Sequence, residues 1–221
     1  MKRWLLITMI LTLLLTTVAH AQSWTPEPRK DRWDFSIMTR YSWSMEHTDD
    51  NGSKLDLDSD LGWGFGFSKY VKENFNLGLT FSWHSSYYTA TAVGGEGNEG
   101  ETHTYSNVLS TSAIALYGDY MFGSGKFQPY LTGNMAWARA NTNVTADIDG
   151  GCYYYPYVGY VCGAWQSETY GDDSFAYSLG LGLRMSLSAS AFIKVGYEHT
   201  WTGFDAFDTN DILRVDLGFQ L

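Results

Sequence analysis

His84 and Ser86 stand two residues apart, the spacing that puts both side chains on one face of an extended strand. A histidine within reach of a hydroxyl is the pairing of a general base with a nucleophile. An acid to orient that histidine is not evident around it. Glu198 and His199 supply suitable groups again, with Asp205 nearby, but adjacent strand residues point to opposite faces and form no dyad. Cys152 and Cys162 lie ten positions apart with no histidine or third cysteine beside them, so they read as a disulfide rather than a metal site. Closing so short a loop would stabilise by roughly 2 to 4 kcal/mol. Asp49, Asp50, Asp56, Asp58 and Asp60 crowd around Asn51-Gly52, a pair suited to a type I′ turn. A calcium loop of the EF-hand type starting at Asp56 needs a glutamate at its twelfth position, where Phe67 stands, so these carboxylates read as a solvated acidic rim. No metal site and no cofactor are expected.

The elements that would carry these groups are strands. Of 221 residues, 17% are aromatic and only 17% charged, with 23 glycines and four prolines, a balance that suits pleated surfaces and turns over helices. The formal charge of −10 argues against nucleic acid as a partner, because phosphate backbones are bound by clustered Lys and Arg. Lys2 and Arg3, an apolar stretch from Trp4 to Val18 and Ala19-His20-Ala21 form an export signal with its cleavage site, giving a signal peptide over 1–21. The stretch is shorter than the roughly 20 residues a spanning helix needs. Nothing later approaches that length, so any membrane crossing must be by strands.

Period-two alternation runs through the rest of the chain. Trp33, Phe35, Ile37, Tyr41 and Trp43 alternate with Asp34, Ser36, Met38, Arg40 and Ser42. Leu61, Trp63, Phe65 and Phe67 alternate with Gly62, Gly64, Gly66 and Ser68. Further segments centre on Leu79, Leu116, Met135, Leu179, Val195 and Val215, and the total is eight strands. One face is greasy throughout. The other is mostly Gly, Ala, Ser and Thr with isolated charges, a crowded interior rather than a Lys/Glu-rich solvent face, so the greasy face points outward into lipid. The connections alternate in length: 46–60, 89–106, 140–173 and 202–210 are long, while 69–74, 123–126 and 188–190 are short. That places both termini and the short turns on the periplasmic side. Tyr70, Phe75, Tyr120, Phe122, Phe127 and Phe192 would form one interfacial ring girdle, and Trp43, Trp83, Tyr87, Trp137 and Trp201 the other.

With Phe127-Gln128-Pro129-Tyr130-Leu131-Thr132-Gly133 entering one strand and Leu213 to Leu221 closing the chain, the sequence resembles the eight-stranded outer-membrane β-barrels, the group of the OmpA transmembrane domain, OmpX, OmpW and the opacity proteins. The resemblance covers about 32–221, after a short tail over 22–31 that reads as flexible and periplasmic. It implies an all-β, antiparallel up-and-down barrel in the outer membrane of a Gram-negative cell, in contact with lipid and lipopolysaccharide. It also implies that Leu217, Phe219 and Leu221 act as the signal read by the barrel-assembly machinery. The chain ends on that strand, so no wall-binding domain is expected.

Eight strands leave a lumen just wide enough for side chains. Arg40, Arg184, Lys194 and Arg214 would pair there with Glu198, Asp216, Asp34 and Asp119 as structural salt bridges, while the small inward residues could leave water-filled space. The long connections are where function would be grafted, above all 140–173, where Tyr153, Tyr154, Tyr155, Tyr157 and Tyr160 surround the cysteine pair. Those rings either recognise an extracellular ligand or pack on one another over the barrel mouth. The expected function is therefore a non-catalytic barrel whose surface loops serve adhesion, interaction or envelope protection. A narrow OmpW-like channel for small or apolar solutes is the alternative, and a lipid A-modifying enzyme the second.

Overall fold

The computed structural model describes residues 28–48, 52–93, 101–146, 152–155, 159–162, 166–204 and 207–221. The signal peptide, most of the tail, Asp49 to Asn51, Tyr157 and Asp205 lie outside them, and at 143–146, 152–155, 159–162, 166–170 and 207–208 only the backbone is described.

Among the described residues twelve strands follow one another: β1 Trp33–Ser42, β2 Met45–Thr48, β3 Lys54–Leu57, β4 Asp60–Lys72, β5 Phe75–Val93, β6 Thr102–Met121, β7 Phe127–Ala146, β8 Cys152–Tyr155, β9 Gly159–Cys162, β10 Gln166–Ser186, β11 Ala191–Phe204 and β12 Phe207–Gln220. Eight of them, β1, β4, β5, β6, β7, β10, β11 and β12, pair antiparallel with their chain neighbours. β12 closes the wall on β1, from Asp34 opposite Gln220 to Ser42 opposite Ile212. Closure satisfies every wall strand on both edges, which a sheet in hydrocarbon requires. At one end the strands meet in short turns, one of which carries Gly123 at φ 82°, a left-handed geometry that a side chain disfavours.

Each wall strand keeps the period-two pattern, with Leu61, Trp63, Met135, Trp137, Leu179 and Leu181 all more than half exposed on the outer surface. Rings directly opposite one another on adjacent strands pack along this face: Trp63 on Trp83 at 5.0 Å and Phe65 on Phe81 at 5.1 Å. Such an apolar exterior has no place in water and forms the lipid belt.

The long connections differ from expectation. β5 and β6 run on to Val93 and from Thr102, and β7 and β10 run on to Ala146 and from Gln166, into what the sequence suggested were loops. Within 46–60, β2 and β3 form a hairpin in which β3 continues the ladder on β5, pairing Leu57 with Tyr88. Above the belt the polarity inverts. Along β5 the outward residues change from Leu79, Phe81 and Trp83, through Ser85 and Tyr87, to Thr89 and Thr91, while the inward ones change from Thr80 and Ser82 to Tyr88, Ala90 and Ala92. Hydroxyls bridge neighbouring strands on the outside there, Thr89 to Ser106 at 3.0 Å and Thr91 to Thr104 at 3.2 Å. The barrel thus leaves lipid and continues as a water-soluble β structure with its apolar side chains inside.

The proposed girdle at the short-turn end also needs correction. Tyr70 and Phe192 are buried inside the barrel, because each shares its strand parity with inward neighbours, Ser68 and Lys194. Tyr120 and Phe122 do face outward at that end, and Trp33, which is not among the expected rings, lies outside with them.

Candidate functional site: the lumen

The lumen holds three layers. Nearest the short turns, the Arg184 guanidinium donates to Asp34 and to the Tyr70 hydroxyl, the latter at 2.6 Å, and lies 3.7 Å above the Phe192 ring. Arg29, four residues before β1, tucks beneath this layer with only 5% of its surface exposed and donates to Gln128; its backbone N–H reaches Glu73 at 2.8 Å. Residues 28–31 are therefore docked rather than a loose tail, held by the guanidinium on Gln128 and by the backbone N–H on Glu73.

In the middle layer Lys194 donates to Asp119 at 2.7 Å, and Arg214 grips Asp216 with two N–H groups, both at 2.7 Å, while reaching Glu198 at 3.1 Å. Arg40 meets the other Glu198 oxygen at 3.5 Å and Ser82 at 3.1 Å. Lys194 and Arg214 flank Tyr117, whose ring fills the space between the two pairs. Arg40, Arg184, Lys194 and Arg214 each meet a carboxylate, and the strands that supply these pairs (β1, β6, β10, β11 and β12) come from both ends of the chain.

The small inward residues do not leave this part open. A Cβ at Gly182 would lie 2.6 Å from the Tyr130 ring, one at Gly196 2.4 Å from the Tyr130 hydroxyl, and one at Gly218 2.1 Å from Phe192. The glycines are what let these rings lie across the lumen. The space expected beside the charges is thus confined to the Arg40 end of the charged layers.

The third layer is apolar. Leu55, Leu57, Tyr88, Leu109, Ala140 and Phe204 form a buried cluster at the long-connection end. Tyr88 shares a hydrogen bond with Thr142 at 2.8 Å, and burial pushes its hydroxyl pKa up. Between this cluster and the Arg40 level lies a cavity of about 100 Å³.

Of the groups that could do chemistry, His84 and Ser86 both line that cavity. Glu198 is buried in the lumen and His199 is on the outer face, so the two are apart. His199 Nδ1 instead meets Asp211 at 2.6 Å, and the Tyr197 hydroxyl donates to the same Asp211 oxygen at 2.6 Å. Sequence reading missed Asp211, twelve residues away; only the β11–β12 register, which sets His199 opposite Asp211, brings them together. In β8 and β9 the register sets Cys152 opposite Cys162 and Tyr154 opposite Tyr160. Leu217, Phe219 and Leu221 lie exposed along the closing strand.

A family model described as outer membrane protein β-barrel domain matches residues 9–220. Among solved structures, the outer membrane protein OprG of Pseudomonas aeruginosa is similar with a TM-score of 0.57 at 12% identity, over 87% of this chain and 97% of that one. Neisserial surface protein A gives a TM-score of 0.52 at 9% identity, over 86% of this chain and 96% of that one. At such identity the likeness is one of fold. No curated protein sequence matches.

Proposed function

Because this chain belongs to the outer membrane β-barrel protein family, and its apolar belt sits in outer-membrane lipid, we propose that it is a non-catalytic barrel whose strand extensions present a recognition surface outside the cell. The carrying observation is the inversion of polarity above the belt: an apolar core inside Thr- and Ser-rich walls makes a stiff platform that a mere membrane anchor would not need. The extensions rise from the long-connection end, so that end faces outward, toward the lipopolysaccharide leaflet, and both termini face the periplasm. The hairpin of β8 and β9 crowns the platform. Directly paired residues of an antiparallel ladder bring their Cα atoms to about 4.5 to 5.5 Å, within disulfide range. A Cys152–Cys162 bond would then hold the tyrosine-bearing segment in shape for an extracellular ligand.

Cells displaying the protein are expected to be retained on arrays of extracellular glycoproteins and glycans, and cells displaying a variant with 147–165 replaced by a short Gly/Ser linker are expected to lose that retention. Equal retention by the two would remove the recognition role from this segment.

The non-catalytic reading rests on the separation of the candidate groups: His84 and Ser86 line the cavity inside the barrel, whereas His199 and Asp211 pair on the outer face. The channel reading is disfavoured by the stacked layers of paired charge and rings. Refolded protein in planar bilayers is expected to give no steady conductance, and a reproducible unitary step would show the layers to be permeable.

A further inference from the structure

The outer wall of the β5 and β6 extensions carries its hydroxyls in facing pairs. Ser85 meets Ser110 at 3.2 Å, Thr89 meets Ser106 at 3.0 Å and Thr91 meets Thr104 at 3.2 Å, each pair directly opposite in the ladder. Two hydroxyls hold two hydrogens and share one between them, so each pair keeps one O–H to donate and lone pairs to accept. Between the first pair and the other two stands Tyr87, opposite Val108. It is 67% exposed, more than any other ring among the described residues. A sugar ring offers a face of C–H groups and a rim of hydroxyls that both donate and accept. An exposed aromatic ring flanked by Ser and Thr pairs is complementary to both parts.

Charge narrows the partner further. The strip from Ser85 to Thr91 and from Thr104 to Ser110 presents no Lys, Arg, Asp or Glu on its outer face. On one side of it Lys54, opposite Thr91, pairs with Glu46 at 4.0 Å; on the other Arg139, opposite Ser112, lies 3.9 Å from Asp173. Each of these flanking cations already has a carboxylate. A phosphate docking here would therefore compete with an existing ion pair, whereas an uncharged hydroxylated group would not.

Height and direction say where the partner comes from. The strip begins two residues beyond Trp83 of the belt, and Thr91 lies eight residues beyond it, roughly 20 Å further out on a strand tilted by about 40°. It faces sideways from the wall and is continuous with the lipid-facing surface below. A molecule arriving from solution meets the end of the barrel first, while one anchored in the same leaflet meets the wall.

We propose that this strip docks the uncharged sugar headgroup of a glycolipid in the outer leaflet, with a sugar ring against Tyr87 and its hydroxyls on the Ser and Thr pairs. The inference rests on the outward orientation proposed above and not on what the β8–β9 hairpin recognises.

The test supplies the lipids in a sugar-free detergent, where orientation in the membrane plays no part, so a failure here is distinct from a failure of that orientation. The refolded barrel is mixed with monoglucosyl diacylglycerol, diacylglycerol and phosphatidylglycerol of identical acyl chains, and native mass spectrometry reads which lipids stay bound. Retention of the glucosyl lipid is expected to exceed that of either other lipid by about fivefold, the worth of about one net hydrogen bond. Tyr87→Leu is expected to abolish the preference. So, separately, is the triple variant Thr89→Val, Thr91→Val, Thr104→Val, which keeps β-branched side chains and removes three hydroxyls. Gel mobility that changes on heating checks each variant for folding, and either folded variant decides the matter. Equal retention of the glucosyl lipid and diacylglycerol, a preference for phosphatidylglycerol, or a preference intact in a folded variant would overturn the proposal. Binding of soluble maltoheptaose by a barrel with no preference for the glucosyl lipid would also overturn it, and would give the strip to a free glycan.

Discussion

Replacing Asp119 by alanine is expected to destabilise the folded barrel by about 3 to 5 kcal/mol, the range for removing one member of a buried ion pair. Asp119 and Lys194 are 2% and 3% exposed and 2.7 Å apart. Their strands, β6 and β11, are not neighbours in the wall, so the bond spans the lumen. The alanine variant leaves an ammonium group among Tyr117, Tyr130 and Phe192, all within 5.8 Å as ring centroids. Those ring faces recover only part of what the carboxylate supplied. The double variant Asp119→Leu, Lys194→Met is expected to regain most of the loss, because replacing both partners with apolar groups removes the desolvation cost along with the attraction. Unfolding from lipid vesicles by urea measures both. A single variant as stable as the parent would show that water reaches Lys194, and with it that the lumen is not sealed at that level.

Leu181→Arg, in the middle of the outward row of β10, is expected to cost about 2 to 4 kcal/mol, while Thr104→Arg on the extension of β6 is expected to cost about 0 to 1. Both side chains are exposed on the outer face and differ only in height along the wall. Leu181 sits among Leu179, Leu183 and Leu131 in the belt. Thr104 lies beyond the point where Thr and Ser replace rings outside. A charged group in hydrocarbon must snorkel or draw water in, whereas one above the belt stays hydrated. Equal costs at the two positions would place the boundary of the belt elsewhere and undo the reading of the extensions as structures in water. The same urea unfolding series provides the comparison.

Much of the architecture was legible because a strand assigns faces by parity alone. Once Phe35, Ile37 and Tyr41 are placed outside, Asp34 and Arg40 must lie inside, and the same logic applies on every strand. Where the reading departed from the structure, parity had been set aside for residue type. Tyr70 and Phe192 were grouped with the outer rings for being aromatic and near turns, although Ser68 and Lys194, two residues away, face inward. The inversion above the belt was written in Tyr88, Ala90 and Ala92, which follow Ser82 and Ser86 on the inward face. It was missed because polar residues outside an expected membrane span read as loop, although in water they suit the outer wall of a strand with an apolar interior equally well.

The sequence by itself determined which residues face lipid and which face the lumen, because alternation is a local property of the extended chain. It also placed four cations and their acids on the same inward surface. Only the tertiary structure decided which acid each cation meets. Arg184 and Asp34 are 150 positions apart and meet across a lumen that exists only after β12 has closed on β1. The same holds for His199 with Asp211, joined by register, and for the cavity, whose walls come from nine strands and the segments joining them. Register and closure are set by hydrogen bonding between strands distant in the chain, and no pattern along one strand carries that information.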